Sequence, residues 1–462
     1  MNLVMVVGER KFDEAIRVVE KLRASGFEAY LAGGCVRDLL LGREPADYDV
    51  ATNARPNVVL DMFERTFAVG AKFGVVLIAA ADAGFVTEVA TFRSDGAYSD
   101  GRRPDAVRYS ESAEEDVQRR DFTINGLLLD PLRGGEALRE IAADRERLQA
   151  AVLDYVGGVQ DLEAGVVRAI GHAELRFEED HLRMLRAVRF AARFGFELEP
   201  ATKIAIRQLA TKVNGVSRER VRDELTKMLT EGSARRAFEL LDETGLLREV
   251  LPEIARMKGV EQPPQFHPEG DVWIHTLMLL EQLKTNSSAT LAWGALLHDV
   301  GKPPTFRRAP DRIRFDGHAE MGVTMAAEIC TRLRFSNEET RQILALIENH
   351  MRFMDTGRMK ESTLKRFLRL PQFDEHLALH KMDCLAGSGF LEHWEFMRDK
   401  LQNLPPETVR PKPLITGKEL IDAGYRPGPK FKEMLREVED AQLEGRILTE
   451  AEALRLVRER FG

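Results

Sequence analysis

The segment Leu31-Ala-Gly-Gly-Cys-Val-Arg-Asp38, followed nine residues later by Asp47-Tyr48-Asp49, constrains this chain more than any other. It predicts a glycine turn feeding a helix, then an extended stretch with paired carboxylates. Strand side chains repeat every second position, so Asp47 and Asp49 are expected to project to one side. Two carboxylates so placed suit a hard divalent cation, and Mg²⁺ is commonly held by one or two carboxylates plus substrate phosphates. Gly33 and Gly34 let backbone amides approach an anion, and Arg37 adds a charged donor just inside the helix. The alternative is a solvated acidic pair beside an ordinary turn.

A chain of 462 residues exceeds what one hydrophobic core serves, so several domains are expected. Its 44% hydrophobic and 31% charged residues exclude a disordered or fibrous protein. The net charge of −8 argues against wholesale attraction to nucleic acid but not against local basic patches. Cys35, Cys330 and Cys384 are odd in number, widely spaced and without a metal-ligand pattern, which fits a reducing cytoplasm. The apolar part of the N-terminus is too short for a signal peptide, and no run approaches the roughly 18 apolar residues of a spanning helix. The expectation is a soluble cytoplasmic protein with no membrane partner.

Phe12, Ile16, Val19 and Leu22 have helical spacing, and Gly26 ends that helix. Strand-like Ala29 to Leu31, the glycine turn, a helix through Leu41 and the Asp-x-Asp strand follow. Val75 to Ala80 and Phe85 to Phe92 predict a hairpin around Asp82-Ala83-Gly84. Ser94 to Ser110 is polar, rich in Gly, Asp and Arg, and predicts a mobile loop, and Leu132 to Ala150 looks like a charged helical insertion. From about Glu178 onward the periods are helical, with breaks where prolines cluster at 252–268 and 404–413. The fold class is therefore α+β, a small mixed head followed by an all-α remainder. The boundaries expected are 1–165 for the head, 166–255 for a helical neck, 256–403 for a further helical domain and 404–462 for a helical tail.

Arg119-Arg120-Asp121 follows the polar loop, and two adjacent guanidinium groups suit triphosphate oxygens beside an aspartate able to position a ribose hydroxyl. More diagnostic is Glu179 to Arg193. On a helix Asp180, Arg183, Arg186, Arg189 and Arg193 form one charged stripe, opposite Leu182, Leu185, Val188 and Ala192. Repeated arginine rather than mixed lysine and glutamate suits phosphates and base edges, although a stripe of structural salt bridges is the alternative. At its head, Asp180 and Arg183 place an acceptor beside a donor. Cytosine and adenine both present an amino donor beside a ring-nitrogen acceptor, so one pair could read either base. Uracil and guanine reverse both polarities, at roughly 1 to 3 kcal/mol for each group left unpaired.

Together these residues resemble the bacterial class II tRNA nucleotidyltransferases, the CCA-adding enzyme and poly(A) polymerase family. Gly33-Gly34-x-x-Arg37-Asp38 with Asp47-x-Asp49 is similar to the catalytic motif of that family. Arg119-Arg120-Asp121-Phe122-Thr123-Ile124-Asn125 is similar to its ribose motif, and Glu179-Asp180-x-x-Arg183 to its amino-acid template for CTP and ATP. Ser217-x-Glu219-Arg220-Val221 and Thr416-Gly417-Lys418-Glu419-Leu420 resemble its neck and C-terminal segments. The resemblance implies a polymerase-β-like head followed by neck, body and tail. It makes Asp47 and Asp49 the catalytic Mg²⁺ ligands, and gives Gly34, Arg37, Arg120 and Asp121 to the nucleotide's phosphates or ribose. Asp180 and Arg183 would read the base, supported by Arg186 and Arg189. The partners implied are a tRNA 3′ end, CTP and ATP. Glu88 is a further candidate for the metal. The full-length Arg93–Asp105 loop favours A incorporation, while Tyr155-Val156-Gly157-Gly158 is similar to poly(A) polymerases, so A-only addition beside a CC-adding partner and poly(A) synthesis stay open. His181, where proline is frequent, and Gly126, where alanine is usual, depart from the family pattern.

A second constellation, His275, His298-Asp299 and Asp383, resembles the HD phosphohydrolase pattern. Imidazole plus carboxylate suits Mn, Fe, Ni or Mg, with an open position to activate water. His318 and His350 could add ligands, and Lys302 a phosphate contact. An HD hydrolase with a nucleotide-sensing head, or a scaffold with both sites dead, is the competing class. Two basic clusters, one of nine Lys or Arg against four acidic residues between Lys203 and Arg236, the other Arg352, Arg358, Lys360, Lys365, Arg366 and Arg369, could track an RNA backbone or be solvated faces.

Overall fold

The computed structural model describes residues 3–68, 74–79, 85–95, 107–133, 145–265 and 267–462. The turn at Asp82-Ala83-Gly84, most of the Arg93–Asp105 loop and residues 134–144 of the expected insertion lie outside the described residues. The chain divides into two compact units, one of Met1–Met228 with Arg236–Pro252 and one of Leu229–Arg235 with Glu253–Gly462.

The first unit opens with helix α1 (Leu3–Ala24), whose Ala15, Val18, Val19 and Leu22 are buried. Strand β1 (Ala29–Ala32) leads through Gly33 into α2 (Gly34–Leu40), and β2 (Asp49–Thr52) returns beside it. The chain continues through α3 (Pro56–Met62), β3 (Thr66–Phe67), β4 (Val75–Ala79) and β5 (Val86–Thr91). The segment expected as a loop from Ser94 to Ser110 is strand at both ends, where a separate small antiparallel ladder pairs β6 (Arg93–Asp95) with β7 (Val107–Tyr109) and backbone hydrogen bonds replace solvent. Strands β8 (Leu127–Leu129) and β9 (Val152–Asp154) complete a seven-stranded sheet in the order β3-β4-β5-β2-β1-β8-β9. The hairpin expected around Asp82 is present as antiparallel β4 and β5.

Register at the centre of this sheet decides the chemistry. β2 runs antiparallel to β1, pairing Asp49 with Ala32, and parallel to β5, pairing Asp49 with Glu88. Side chains directly opposite on neighbouring strands share a face, so two carboxylates meet there. Asp47, expected within the strand, lies two residues ahead of it. Tyr48 between them is buried edge-on against Phe12, their ring centroids 5.3 Å apart, which fixes where the strand begins.

Helices make up most of the remainder. In the first unit the arginine helix Leu182–Phe194 buries Leu182, Leu185, Val188 and Ala192, as its period predicts. In the second unit the helices Val272–Glu281, Ala289–Leu297, His318–Arg332, Asn337–Asn349 and Phe373–Ala386 surround a histidine cluster. No helix among the described residues is long and apolar enough to cross a membrane. The C-terminal helices Gly417–Asp422, Lys430–Leu443 and Glu450–Phe461 share a core of Ile415, Leu420, Met434, Val438, Ala453 and Val457.

Candidate active site and metal centre

Gly33 is the pivot of the first site. Its φ of +71° favours glycine, and a Cβ there would stand 2.9 Å from Nη1 of Arg120. Its amide donates to the Leu127 carbonyl at 2.9 Å, tying the turn to β8. Gly34, the first residue of α2, has room for a side chain, since a Cβ would stand 3.6 Å from Arg37. Arg37 is buried against Phe194 and Phe190, with Nε and Nη2 on Asp38 at 2.9 and 2.7 Å and Nη1 on Asn125 at 2.5 Å. Three of its donors are thus bound within the fold.

The same cleft is lined by Gly33, Gly34, Arg37, Asp47, Asp49, Arg119, Arg120, Asp121, Asn125, Arg183, Arg186, Arg189, Phe190, Arg193 and Lys227. Carboxylates occupy one end. Burial, then Glu88, raise the Asp49 carboxyl to about 6, against the pull of Arg120 and with a further push from Asp47. Burial and then Asp47 also raise Glu88. Carboxylates crowded until they resist ionising are the donor set a divalent cation relieves. Asp47 is largely exposed and accepts from Lys11 Nζ at 3.3 Å. These acidic groups do not converge into a ready-made cage, for the described groups of three or more ligand atoms within 4.8 Å of one another all lie in the second unit. A substrate's phosphates would have to complete such a coordination shell.

Arginines supply the rest of the wall, each aimed by an acid. Buried Asp116 accepts from Arg119 Nη2 at 2.6 Å through Oδ1 and from Arg120 Nη2 at 2.9 Å through Oδ2. Asp121 accepts from Arg186 Nε at 2.9 Å, from Asn125 at 3.0 Å and from the Phe122 amide at 2.8 Å. Burial opposes ionisation of Asp121, but Arg186 and these bonds hold it at about 2. Arg189 is buried on Glu224 at 2.7 Å. Asp116 and Glu224 escape a motif-by-motif reading, whereas Asn125 from the ribose motif, Arg193 from the arginine stripe and Lys227 from the first basic cluster all line the cleft. For Asp116 a signal was nonetheless present, since it stands three and four residues before the arginine pair it holds.

Asp180 differs from expectation. It lies in extended backbone between the helices Ala173–Glu179 and Leu182–Phe194, not on the arginine stripe, and its Oδ1 accepts the Leu182 amide at 3.1 Å. Its carboxylate is held by Arg220 at 2.7 and 3.3 Å, and it is absent from the cleft lining. Arg183 does line the cleft, yet Nη1 sits 2.6 Å from Glu179 and Nη2 3.3 Å from the Arg119 carbonyl. The cleft therefore brings Asp47 and Asp49 together with Arg183, Arg186 and Arg189, with Asp180 three residues away on Arg220. Gly126 has a packing reason, as a Cβ would stand 2.8 Å from Val156 and 3.1 Å from Ile170. Gly158 likewise has the Thr123 carbonyl 2.2 Å from any Cβ.

The second constellation is assembled. His275 Nε2 lies 3.0 Å from Asp383 Oδ1 and 3.9 Å from Asp299 Oδ2; His298 Nε2 lies 3.1 Å from Asp299 Oδ2 and 4.0 Å from Asp383 Oδ1. Gly301 permits it, since a Cβ there would meet the His318 carbonyl at 2.1 Å. Lys302 Nζ sits 2.7 Å from Asp299 and 2.6 Å from Gln262. His298 Nε2 and Asp299 Oδ2 are buried without a hydrogen bond of sound geometry, and such orphaned atoms fit a bound cation. Burial works against ionisation of Asp299, but His298 and Lys302 hold it well below the carboxylate range. Against burial, Asp383 and Glu269 raise His275 to about 9.

Both basic clusters are largely spent within the fold. Lys365 is buried with Nζ on the Leu443 carbonyl at 2.6 Å, Arg366 pairs with Glu439 and Asp440, and Arg369 pairs with Glu439 at 2.6 Å. In the first cluster Lys203 pairs with Glu243 and Arg220 with Asp180, both at 2.7 Å, while Arg236 reaches Glu197 at 3.0 Å.

Comparison with known proteins agrees with this layout. Residues 29–168 match the poly A polymerase head domain, 195–258 the probable RNA and SrmB-binding site of polymerase A, and 271–386 the HD domain. The CCA-adding enzyme of Lactobacillus delbrueckii subsp. bulgaricus is 31% identical over 436 residues, 94% of each chain. That of Geobacillus stearothermophilus is 42% identical over 235 residues, a stretch spanning 51% of this chain and about half (54%) of that enzyme. The crystal structure of the Bacillus stearothermophilus CCA-adding enzyme in complex with CTP superposes with a TM-score of 0.72 at 27% identity, covering 97% of both chains. A polymerase head, an RNA-binding segment and an HD body in this order, with a relative matched nearly end to end, place the chain in the family of CCA-adding enzymes.

Proposed function

We propose that this protein is a template-independent nucleotidyltransferase that builds or repairs the 3′-terminal CCA of tRNA in the cytoplasm from CTP and ATP, releasing pyrophosphate. The observation that carries this reading is the single cleft shared by Asp47, Asp49, the Arg119–Arg120 pair and Arg183. Asp47 and Asp49 would hold Mg²⁺, which when bound activates the attacking 3′-hydroxyl and neutralises charge on the departing pyrophosphate. Asp116 aims the two guanidinium groups at the triphosphate, and Asp121, locked by Arg186, faces the ribose. Reading the base requires Asp180 to exchange Arg220 for the amino group of cytosine or adenine, while Arg183 donates to the ring nitrogen. In this reading 1–165 is the head, 166–255 the neck, 256–403 the HD-type body and 404–462 the tail.

Incubating the chain with tRNA ending before CCA, after C or after CC, each with labelled CTP or ATP alone, tests it. The expected pattern is C, C, then A. Growth of a long A tail, or addition of A only to the CC end, would replace it with poly(A) synthesis or A-only addition.

The inward-facing Nε2 atoms of His275 and His298 favour a second activity. With Asp299 and Asp383 they would hold one divalent cation such as Mn, Ni, Fe or Mg, giving a phosphohydrolase centre. Release of phosphate from nucleoside phosphate esters should then persist in Asp47→Asn/Asp49→Asn and vanish in Asp299→Ala.

A further inference from the structure

We propose that the second unit binds a single-stranded stretch of RNA on the arginine hairpin that runs from Phe306 to Phe315, and that this binding needs no chemistry at the histidine cluster. Phe306-Arg-Arg-Ala-Pro-Asp-Arg-Ile-Arg-Phe315 carries four arginines against one aspartate, in a chain whose net charge is −8. Choosing RNA among nucleic acids rests on the proposed function.

The hairpin is short. Arg307–Arg308 pairs antiparallel with Ile313–Arg314, and the Ala309 amide donates to the Arg312 carbonyl at 3.0 Å, so Pro310 and Asp311 form the turn. Arg307 stands directly opposite Arg314, and alternation along the strand adds Arg312 to the same face. Like charges placed opposite each other destabilise a ladder. An anion laid across that face removes the cost.

These cations are open to a ligand. Arg307 pairs with Asp316 at 2.7 Å and Arg308 with Glu261 at 2.6 Å, but the four side chains are 62–68% exposed. Ion pairs so exposed are worth little and are screened by salt, so phosphate oxygens can take the place of the carboxylates. Arg312 is exposed too, and Arg314, paired with Asp311 at 2.8 Å, keeps Nε buried without a partner.

The surroundings select the partner. Arginine forks match phosphate geometry. Phe306, 38% exposed, and Phe315 close the open end of the hairpin with ring centroids 5.9 Å apart. Arg312, Arg314 and Phe315 line a cavity of about 460 Å³ together with Met351 and Met354, which are 45% and 56% exposed. Cations beside aromatic and apolar surface suit a strand with an anionic backbone and unpaired bases. A duplex hides its bases, and an acidic peptide has none to stack.

Fluorescence anisotropy of a labelled RNA octamer, titrated with the full chain at a series of salt concentrations, tests this. Each phosphate contact to a single strand adds about 0.7 to the slope of log affinity against log salt, so Arg307→Gln/Arg308→Gln/Arg312→Gln should lower that slope by about 2. The thermal melt should not move, and Arg307→Lys/Arg308→Lys/Arg312→Lys should keep most of the slope. Phe306→Ala/Met354→Ala should weaken the octamer about tenfold with the slope unchanged, and a duplex of the same sequence hardly at all. These readings are of binding and stand whether or not the chain adds CCA. Unchanged slope and affinity in the glutamine variant would overturn the hairpin contact. Equal losses for octamer and duplex would overturn the single-strand reading, and displacement by polyglutamate as effective as by RNA would put an acidic protein in its place.

Discussion

Asp49 is caught between two demands, to ionise for a metal and to stay neutral beside Glu88, and its pKa near 6 records the conflict. Ligating carboxylates must be deprotonated, so Mg²⁺ affinity of the head should be flat above about pH 6 and fall about tenfold per unit below it. Glu88→Gln removes the opposing charge, and titration calorimetry across pH should find the acid limb moved lower. An unmoved limb would mean Glu88 does not act on Asp49. His376 shows the opposite case. Both its ring nitrogens are buried without a partner, and burial, helped by Arg352, lowers it to about 4. Its unfolded value is about 6.5, so the unfolded chain binds the proton first. The stability this contributes is present above about pH 6.5 and is lost as pH falls towards 4, up to roughly 3 kcal/mol. His376→Phe, beside Phe373, should flatten that slope in denaturant melts at pH 5 and 8. Gly33 was legible in sequence because a left-handed turn is written as glycine. Gly34 was not separable from it, and only the geometry shows that the first glycine carries the constraint.

Among elements, the arginine helix Leu182–Phe194 is where the sequence spoke most clearly. Its 3.6-residue period places Arg183, Arg186, Arg189 and Arg193 on the cleft and Leu185 and Val188 in the core. The period misplaced Asp180, because an aspartate at a helix start satisfies a free amide with its side chain instead of joining the helix. What holds Arg189 was also hidden, since Glu224 comes from another helix and contact across the fold leaves no local period. Arg189 and Glu224 are both buried, so Glu224→Gln strands a charge and should cost about 3 kcal/mol in urea unfolding. Glu224→Gln/Arg189→Met should recover most of it. Recovery would separate the cost of the stranded charge from loss of packing.

Across the whole molecule, alternation and helical period sufficed for an α+β head and a helical remainder, and clustered motifs sufficed for the family. Net charge was less informative, because arginines read as an RNA track, Arg366 and Arg369 among them, are consumed in holding the helix Lys430–Leu443. Neutralising their shared partner, Glu439→Gln, should therefore destabilise the second unit by about 1 kcal/mol in thermal melts rather than strengthen RNA binding. On the proposed reading, the acidic couple Asp47 and Asp49 and the pair Asp180 and Arg183 act on one incoming triphosphate. The most direct measurement is an experimental structure of the full chain with CTP and Mg²⁺. The α-phosphate and metal should lie on Asp47 and Asp49, with the cytosine amino group on Asp180 released from Arg220 and the ring nitrogen on Arg183. A triphosphate away from Asp47 and Asp49, or a base against another wall while Asp180 stays on Arg220, would contradict it.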